Sequence, residues 1–274
     1  MRDKQSYSDR KSSYEGKLII GQTLMLLSVI SLPFAFMIHL SLLILSALLL
    51  SMGVKLYFDA KEYLRKAREQ FLEAEVKPRL KEEMAMDFHP DEGLPKDFFE
   101  GSQTLEIEAA YDSYQRFELK RSDLAIKGAY VRTGPKPSKF QSYQAEALFS
   151  GKVVHVVFEK AFRLPVTLRD DEAENAVPFG NLFAHGTNAE QFTAMAEEAQ
   201  KTFDTFARKH SGAFRAVMRD NHLYLFIHDH RPFIDLSPAK PIGEPPIRFF
   251  KTFIEDVIDL SKSLSHNDSV MTTD

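Results

Sequence analysis

The chain has no cysteine and no tryptophan among its 274 residues. Without thiols there can be neither a disulfide framework nor a thiolate metal site, which agrees with a reducing cytoplasm. Phenylalanine, at 23 residues, supplies the aromatic bulk instead, so a Phe-rich core is expected. Glycine is scarce, at 12 residues, and no Gly-x-Gly-x-x-Gly or Walker-type loop occurs. Nucleotide binding therefore has no fingerprint here, and no cofactor is expected. There is no Gly-x-Ser-x-Gly elbow either. Ser150-Gly151 lacks the upstream glycine and the strand-to-helix setting that activates such a serine.

One further absence is local. From Leu18 to Val54 there is no Asp, Glu, Lys or Arg, with Lys17 and Lys55 closing the run. About 18 uncharged apolar residues already suffice to read a membrane span. A single straight helix over the run would be roughly 55 Å long, against a hydrocarbon core of about 30 Å. Two helices fit better, turning near Met37–Ser41, with Pro33 just before the turn and His39, the only titratable group of the run, in it. A single span and a buried soluble hairpin are the competing readings. A cleaved signal peptide has an apolar core of only about 7–15 residues, shorter than this run. Arg2, Lys4, Arg10, Lys11 and Lys17 precede the run, and Lys55, Lys61, Arg65, Lys66 and Arg68 follow it. Basic flanks stay cytoplasmic, so both termini should lie inside. Tyr14 and the Tyr57–Phe58 pair occupy positions suited to interfacial aromatics.

Net charge is −4, unevenly spread: +3 over residues 1–58, −7 over 59–115, +7 over 116–169 and −7 over 170–274. Nucleic-acid binders carry a dominating basic footprint. One basic block between two acidic ones does not make one, and no nucleic-acid partner is expected. The block suits anionic lipid headgroups, or pairing with the acidic blocks in the same fold.

The expected organisation is a disordered cytoplasmic tail at 1–17, a transmembrane hairpin at 18–58, a juxtamembrane helix and linker at 59–92, a cytoplasmic α+β domain at 93–262, and a disordered tail at 263–274. The juxtamembrane helix carries an apolar stripe of Tyr57, Ala60, Leu64, Ala67, Phe71 and Ala74. Pro78 should kink or break it. The His89–Pro95 turn cluster is the boundary candidate. Phe98–Arg116 reads as a short helix or an extended lead-in. Beyond Leu119 the period changes to two, predicting an antiparallel meander through Leu124–Val131, Ser142–Phe149, Val153–Phe158 and Leu164–Leu168. Phe179–Phe183 suggests a further strand. One helix is predicted over Asn188–His210, capped by Thr187 or Asn188 with Glu190 and Gln191 at capping-box spacing. Its stripe is Phe192, Met195, Ala199, Phe203 and Phe206. Phe214–Arg219 and His222–His228 flank Asp220-Asn221 as a hairpin. A last amphipathic helix covers Ile247–Leu260, with Ile247, Phe250, Ile254, Val257 and Ile258 inward. The fold class is α+β: a two-helix transmembrane hairpin, then an antiparallel sheet with amphipathic helices packed on it.

The order of these features resembles a bacterial family known only as a domain of unknown function. The resemblance lies in the Leu18–Val54 hairpin, in Ser102 followed by Tyr111-Asp112-Ser113-Tyr114, and in Phe149-Ser150-Gly151 opening a β run. Asp220-Asn221-His222-Leu223-Tyr224-Leu225-Phe226-Ile227 is similar to that family's Asp-Gly-x-Leu-Tyr strand, with Asn221 where the family often has glycine. The resemblance implies a bacterial protein with an apolar hairpin near the N-terminus, a charged helix and then an α+β cytoplasmic domain; with both flanks basic, the expected location is the bacterial inner membrane. It implies no catalytic residues.

Two constellations bear on function. His228 and His230, two apart on a strand, point to one face and could share a metal, with Asp235 or His222 as third ligand. Ordinary polar residues at a strand end before Pro232 are the plainer reading, so no metal is expected. His155, inside an apolar strand, reads as a hydrogen-bonded histidine, and Glu197-Glu198 and Asp170-Asp171-Glu172 read as solvated faces. The second constellation is Lys152, Lys160, Arg163 and Arg169, which strand alternation would allow to gather as a membrane-facing surface. The expected function is a membrane-anchored interaction or scaffold protein whose partners are the bilayer and either anionic lipid or another protein. The alternative is a membrane-tethered metal-dependent hydrolase.

Overall fold

A computed structural model describes residues 7–38, 40–95, 98, 110–134, 149–172, 175–210, 213–236 and 244–272. The chain divides into two compact units at Val76/Lys77. That division lies upstream of the His89–Pro95 turn.

In the first unit, α1 (Tyr7–Ile38) and α2 (Leu40–Phe71) form an antiparallel pair. Both contain stretches long and apolar enough to cross a membrane. α1 ends at Ile38 and α2 begins at Leu40, both within the expected Met37–Ser41 turn, and His39 lies outside the described residues. The seam repeats every seven residues on each helix. Tyr14 packs on Ala60 and Leu64. One heptad further, a Cβ on Gly53 would stand 2.9 Å from the Gly21 carbonyl oxygen. One more heptad on, the Ser28 hydroxyl donates to the Ser46 carbonyl at 2.8 Å, and the Ser31 and Ser46 hydroxyls are 2.6 Å apart. A strict heptad suits a left-handed pair, and glycine and serine let the two backbones approach. Residues 7–17, expected as a disordered tail, are helical, because α1 starts at Tyr7. Tyr14 is buried in the seam, so it does not serve as an interfacial ring.

Pro78 does not break the following helix. A π-helical turn, Leu72–Val76, precedes α3 (Lys77–Met84). Such a turn re-spaces the carbonyls where proline supplies no N–H and would clash one turn back.

In the second unit, nine strands form one antiparallel sheet among the described residues, in the order β1-β2-β3-β4-β9-β8-β5-β7-β6. They are β1 (Met86–His89), β2 (Ala110–Lys120), β3 (Leu124–Gly134), β4 (Phe149–Phe158), β5 (Val166–Arg169), β6 (Val177–Phe179), β7 (Leu182–His185), β8 (Phe214–Arg219) and β9 (His222–His228). β3 and β4 pair side by side as the expected meander requires, and the β8–β9 hairpin forms where expected, but β5 pairs with β8 and β7 rather than with β4, and β1 lies inside the expected juxtamembrane helix and linker. Asp220 takes the left-handed conformation at the hairpin turn (φ 51°). From Ala110 onward the ambiguous lead-in is extended, as β2. Residues 99–109 and 135–148, with most of the expected Ser142–Phe149 strand, lie outside the described residues. β3 runs unbroken through Gly128, where a Cβ would meet the Phe117 ring at 2.5 Å.

Register sets Phe117, Gly128, Val154, Leu225, Ala216 and Leu168 in one row across a single face. Helices cover that face. Phe250 of α6 (Glu244–Ser265) packs 5.5 Å from the Phe117 ring. Phe206 of α5 (Glu197–Lys209) packs 5.9 Å from Phe214. The stripe residues expected to point inward on α6 are all buried. On the opposite face, Leu94, Ala129, Val131, Phe149, Val153 and Phe226 form a second cluster. The Val153–Phe158 run is therefore apolar in both directions.

Three expectations are corrected. Asn188–His210 is two helices, α4 (Ala189–Met195) and α5, separated at the fully buried Ala196. The Asn188 side chain makes no capping bond and donates instead to the Pro165 carbonyl at 3.5 Å. The chain end is not a disordered tail: α6 runs to Ser265, Met271 bridges to Phe162, and Val270 and Met271 are buried.

Candidate functional site

Beside α6, where β4 begins and β9 ends, the second unit holds a recess of about 720 Å³. Its apolar walls are Ile227, Pro232, Phe233, Pro246, Phe249 and Phe253. Phe233 is wedged 5.2 Å from both Phe117 and Phe250. Its position is fixed through its neighbour. A bulge in β2 turns Gln115 inward at φ 56°. Its amide then donates to the Ile234 carbonyl and accepts from the Ile234 N–H, both at 3.0 Å. A buried amide paired at both ends is a rigid two-point clamp.

Two ion pairs line the recess. Lys152, on the helix-covered face of β4, donates to Asp229 at 2.6 Å, and both side chains are largely buried. Asp229 also accepts from the Arg231 backbone N–H at 3.0 Å and from its guanidinium at 3.1 Å. Burial alone would raise the Asp229 pKa, but these hydrogen bonds outweigh it and hold the carboxyl below its usual range. On the other side, Lys209 donates to Asp256 at 2.5 Å, and the His210 ring nitrogen lies 3.1 Å from the same carboxylate. Burial lowers the His210 pKa despite Asp256, with the Lys152 and Lys209 charges acting in the same direction. His210 is therefore neutral at neutral pH. The recess thus combines an apolar wall with ion pairs that cancel one another, and both of its central carboxylates, Asp229 and Asp256, are already engaged by lysines. It offers a surface for an apolar group with polar flanks.

The expected basic surface is dispersed. Lys152 points into the recess. Lys160 follows β4 in a bend. Arg163 donates from its backbone to Val270 and from Nε to the Met271 carbonyl at 2.7 Å, tying down the chain end. Arg169 lies on the sheet face opposite Lys152 and pairs with Asp171 at 2.6 Å.

The His228 and His230 rings stand 5.0 Å apart, edge to face. Among the described residues no group of three His, Asp or Glu is placed to hold a metal. Of the suggested third ligands, Asp235 lines the recess, and His222 sits at the other end of β9, about 20 Å along the strand. There His222 Nδ1 lies 3.0 Å from His155 Nε2, and His155 stacks on Tyr224 at 4.4 Å. Burial, then His222 and Lys127, push the His155 pKa down to about 4. Glu197 and Glu198 are exposed in the first turn of α5.

Asp229, Arg231, Lys209, His210 and Asp256 were not singled out from sequence. Asp229 was visible only as the residue between two histidines, and 77 residues separate it from Lys152.

No family model matches the chain, and no curated protein matches it. The resemblance to the family of unknown function therefore rests on the quoted motifs alone. Among solved structures, the chain is similar to the crystal structure of the mycobacterial trehalose monomycolate transport factor A. The identity is 10% and the TM-score 0.38, over 69% of this chain and 96% of that one, a likeness too slight to carry an argument.

Proposed function

We propose that the chain is a membrane-anchored interaction protein. The α1–α2 hairpin crosses the bacterial inner membrane, both termini lie in the cytoplasm, and the α+β unit binds a protein partner through the recess beside α6. One observation carries the anchor: the hairpin has its polarity reversed. Ile19, Leu26, Val29, Ile44 and Leu48 face outward at 57–63% exposure, while Ser28 and Ser46 are buried in the seam, hydrogen-bonded to each other's helix. In water that arrangement exposes a large continuous apolar surface. In lipid it is the favourable one, with polar groups satisfied between helices. The uncharged part of α1, Leu18–Ile38, is about 30 Å long, one hydrocarbon thickness. The basic flanks support a cytoplasmic location for both ends.

The recess supports binding rather than bond-making. Its central carboxylates are already hydrogen-bonded to Lys152 and Lys209, while Phe249 stands 68% exposed at its edge. Exposed aromatic anchors beside paired charges are the composition of an interaction surface.

Two experiments test this reading. Alkaline carbonate extraction of cell membranes should leave the full chain in the pellet, and release to the supernatant would overturn the anchor. A photo-crosslinking residue at Phe249 should give a discrete adduct in cells that is absent with the probe at Asp268. Equal patterns from both positions would overturn the recess as the binding face.

A further inference from the structure

Lys17 and Lys61 approach the same level of the hairpin from opposite sides. The Lys17 Nζ stands 5.6 Å from the Tyr63 ring centroid, and the Lys61 Nζ stands 4.7 Å from that of Tyr57. Side chains tilt toward their helix N-terminus. α1 runs into the apolar zone and α2 runs out of it, so Lys17 leans outward and Lys61 leans inward. Tyr57 meets Phe58 edge to face at 5.8 Å, and Phe58 is exposed.

The pairing of Tyr14 with Ala60 and of Gly21 with Gly53 sets Lys17 level with Tyr57, and Glu15 level with Asp59. Moving out from the turn, the first charges met are therefore Lys55 and Lys17. The carboxylates Glu15 and Asp59 come about 3–6 Å farther out. Beyond them Arg65 and Lys66 are already bound to Glu62, and Arg65 also to Glu69. From Leu40 to Tyr57 α2 rises about 26 Å, close to the hydrocarbon core of about 30 Å. By backbone level the order is apolar shaft, then Lys55 and Lys17 with Tyr57 and Phe58, then Glu15 and Asp59, with Lys61 and Tyr63 about 3–6 Å beyond Asp59 and the Lys61 side chain reaching back to the Tyr57 ring. The first cations met beyond the apolar shaft stand where the phosphates of one leaflet lie.

We propose that this collar is a lipid-headgroup site. Phosphates of anionic phospholipids seat against Lys17, Lys55 and Lys61, while Tyr57 and Phe58 lie at the edge of the hydrocarbon and fix the depth of the hairpin, and Tyr63, farther out, supports the Lys17 ammonium. The inference rests on the membrane reading above.

Because the chain has no tryptophan, one introduced tryptophan reports depth without background. The full chain carrying Leu27→Trp or Phe58→Trp is reconstituted in vesicles with lipids brominated at shallow or deep acyl positions. Leu27→Trp should be quenched more by the deep bromines and Phe58→Trp more by the shallow ones. If neither quencher reaches Leu27→Trp, the anchor itself fails. If Leu27→Trp is deep while Phe58→Trp is unquenched or equally deep, the collar fails and the anchor stands. A second arm compares spin-labelled phosphatidylglycerol with phosphatidylcholine at the protein surface. The native chain should prefer phosphatidylglycerol by about fivefold or more, one Lys near an anionic surface giving about that factor. Lys17→Gln/Lys55→Gln/Lys61→Gln should bring the preference to parity, and an unchanged preference would overturn the headgroup site.

Discussion

The Gly21 carbonyl oxygen and Gly53 meet so closely that a Cβ on Gly53 would stand 2.9 Å from that oxygen and 2.8 Å from Met25 Cγ. Gly16, on the same α1, has nothing within 4 Å of its Cβ position. Both glycines weaken their helices by about 1 kcal/mol relative to alanine. Gly16→Ala should therefore raise the midpoint of helix unfolding in detergent. Gly53→Ala should lower it, since forcing the helices apart costs about 1–3 kcal/mol. Circular dichroism at 222 nm on heating reads both. A Gly53→Ala midpoint at or above the native one would mean the seam is not closely packed.

Lys152 provides the second prediction. It was expected on a membrane-facing surface, but it lies inside the recess against Asp229. Lys152→Glu sets two carboxylates together in a largely buried site and should cost about 3 kcal/mol or more. Lys160→Glu should stay within about 0.5 kcal/mol. Urea unfolding of the full chain in detergent separates the two. Equal small effects would return Lys152 to the surface.

The third prediction concerns pH. His155 and His222 face each other at 3.0 Å, and Lys127 stands beside His155 in the register. One neutral ring can donate to the other, but two protonated rings cannot. The folded His155 pKa is about 4, below the unfolded value of about 6.5. The unfolded chain therefore binds more protons between those values. The stabilisation is present above about pH 6.5 and is lost as pH falls toward 4, amounting to about 3 kcal/mol. In His155→Gln the fall in stability between pH 7 and 4.5 should be smaller by a comparable amount. Urea midpoints across that range measure it, and parallel curves would contradict the assignment.

Local patterns carried much of the fold. Asp220-Asn221 tolerates left-handed geometry, and the β8–β9 hairpin forms around it. The α6 stripe recurs at helical spacing and is buried as expected. What escaped reading is non-local. Ala196 is a strong helix former, yet packing interrupts the helix there, against its propensity. β5 pairs with both β8 and β7, so its place in the sheet depends on segments far along the chain. Met271 is pinned by Phe162, which nothing near the C-terminus announces. The recess was hidden for the same reason. Its ion pairs join β4 to the end of β9, and the end of α5 to α6, and no local spacing encodes either. The small-residue heptad of the hairpin was legible in principle, as Gly21 and Ser28 against Ser46 and Gly53. Hydropathy alone passes over it, because small residues matter only once two helices are paired.

A hairpin that crosses the membrane and returns leaves its turn on one side and both termini on the other. The absence of cysteine makes the direct measurement clean. Single cysteines are introduced as Ser6→Cys, His39→Cys and Asp268→Cys, and intact cells with a permeabilised outer membrane are treated with a membrane-impermeant maleimide. Labelling is expected for the His39→Cys chain only, with the Ser6→Cys and Asp268→Cys chains reacting once the inner membrane is lysed. Labelling of the Asp268→Cys chain in intact cells, or protection of the His39→Cys chain there, would contradict this topology.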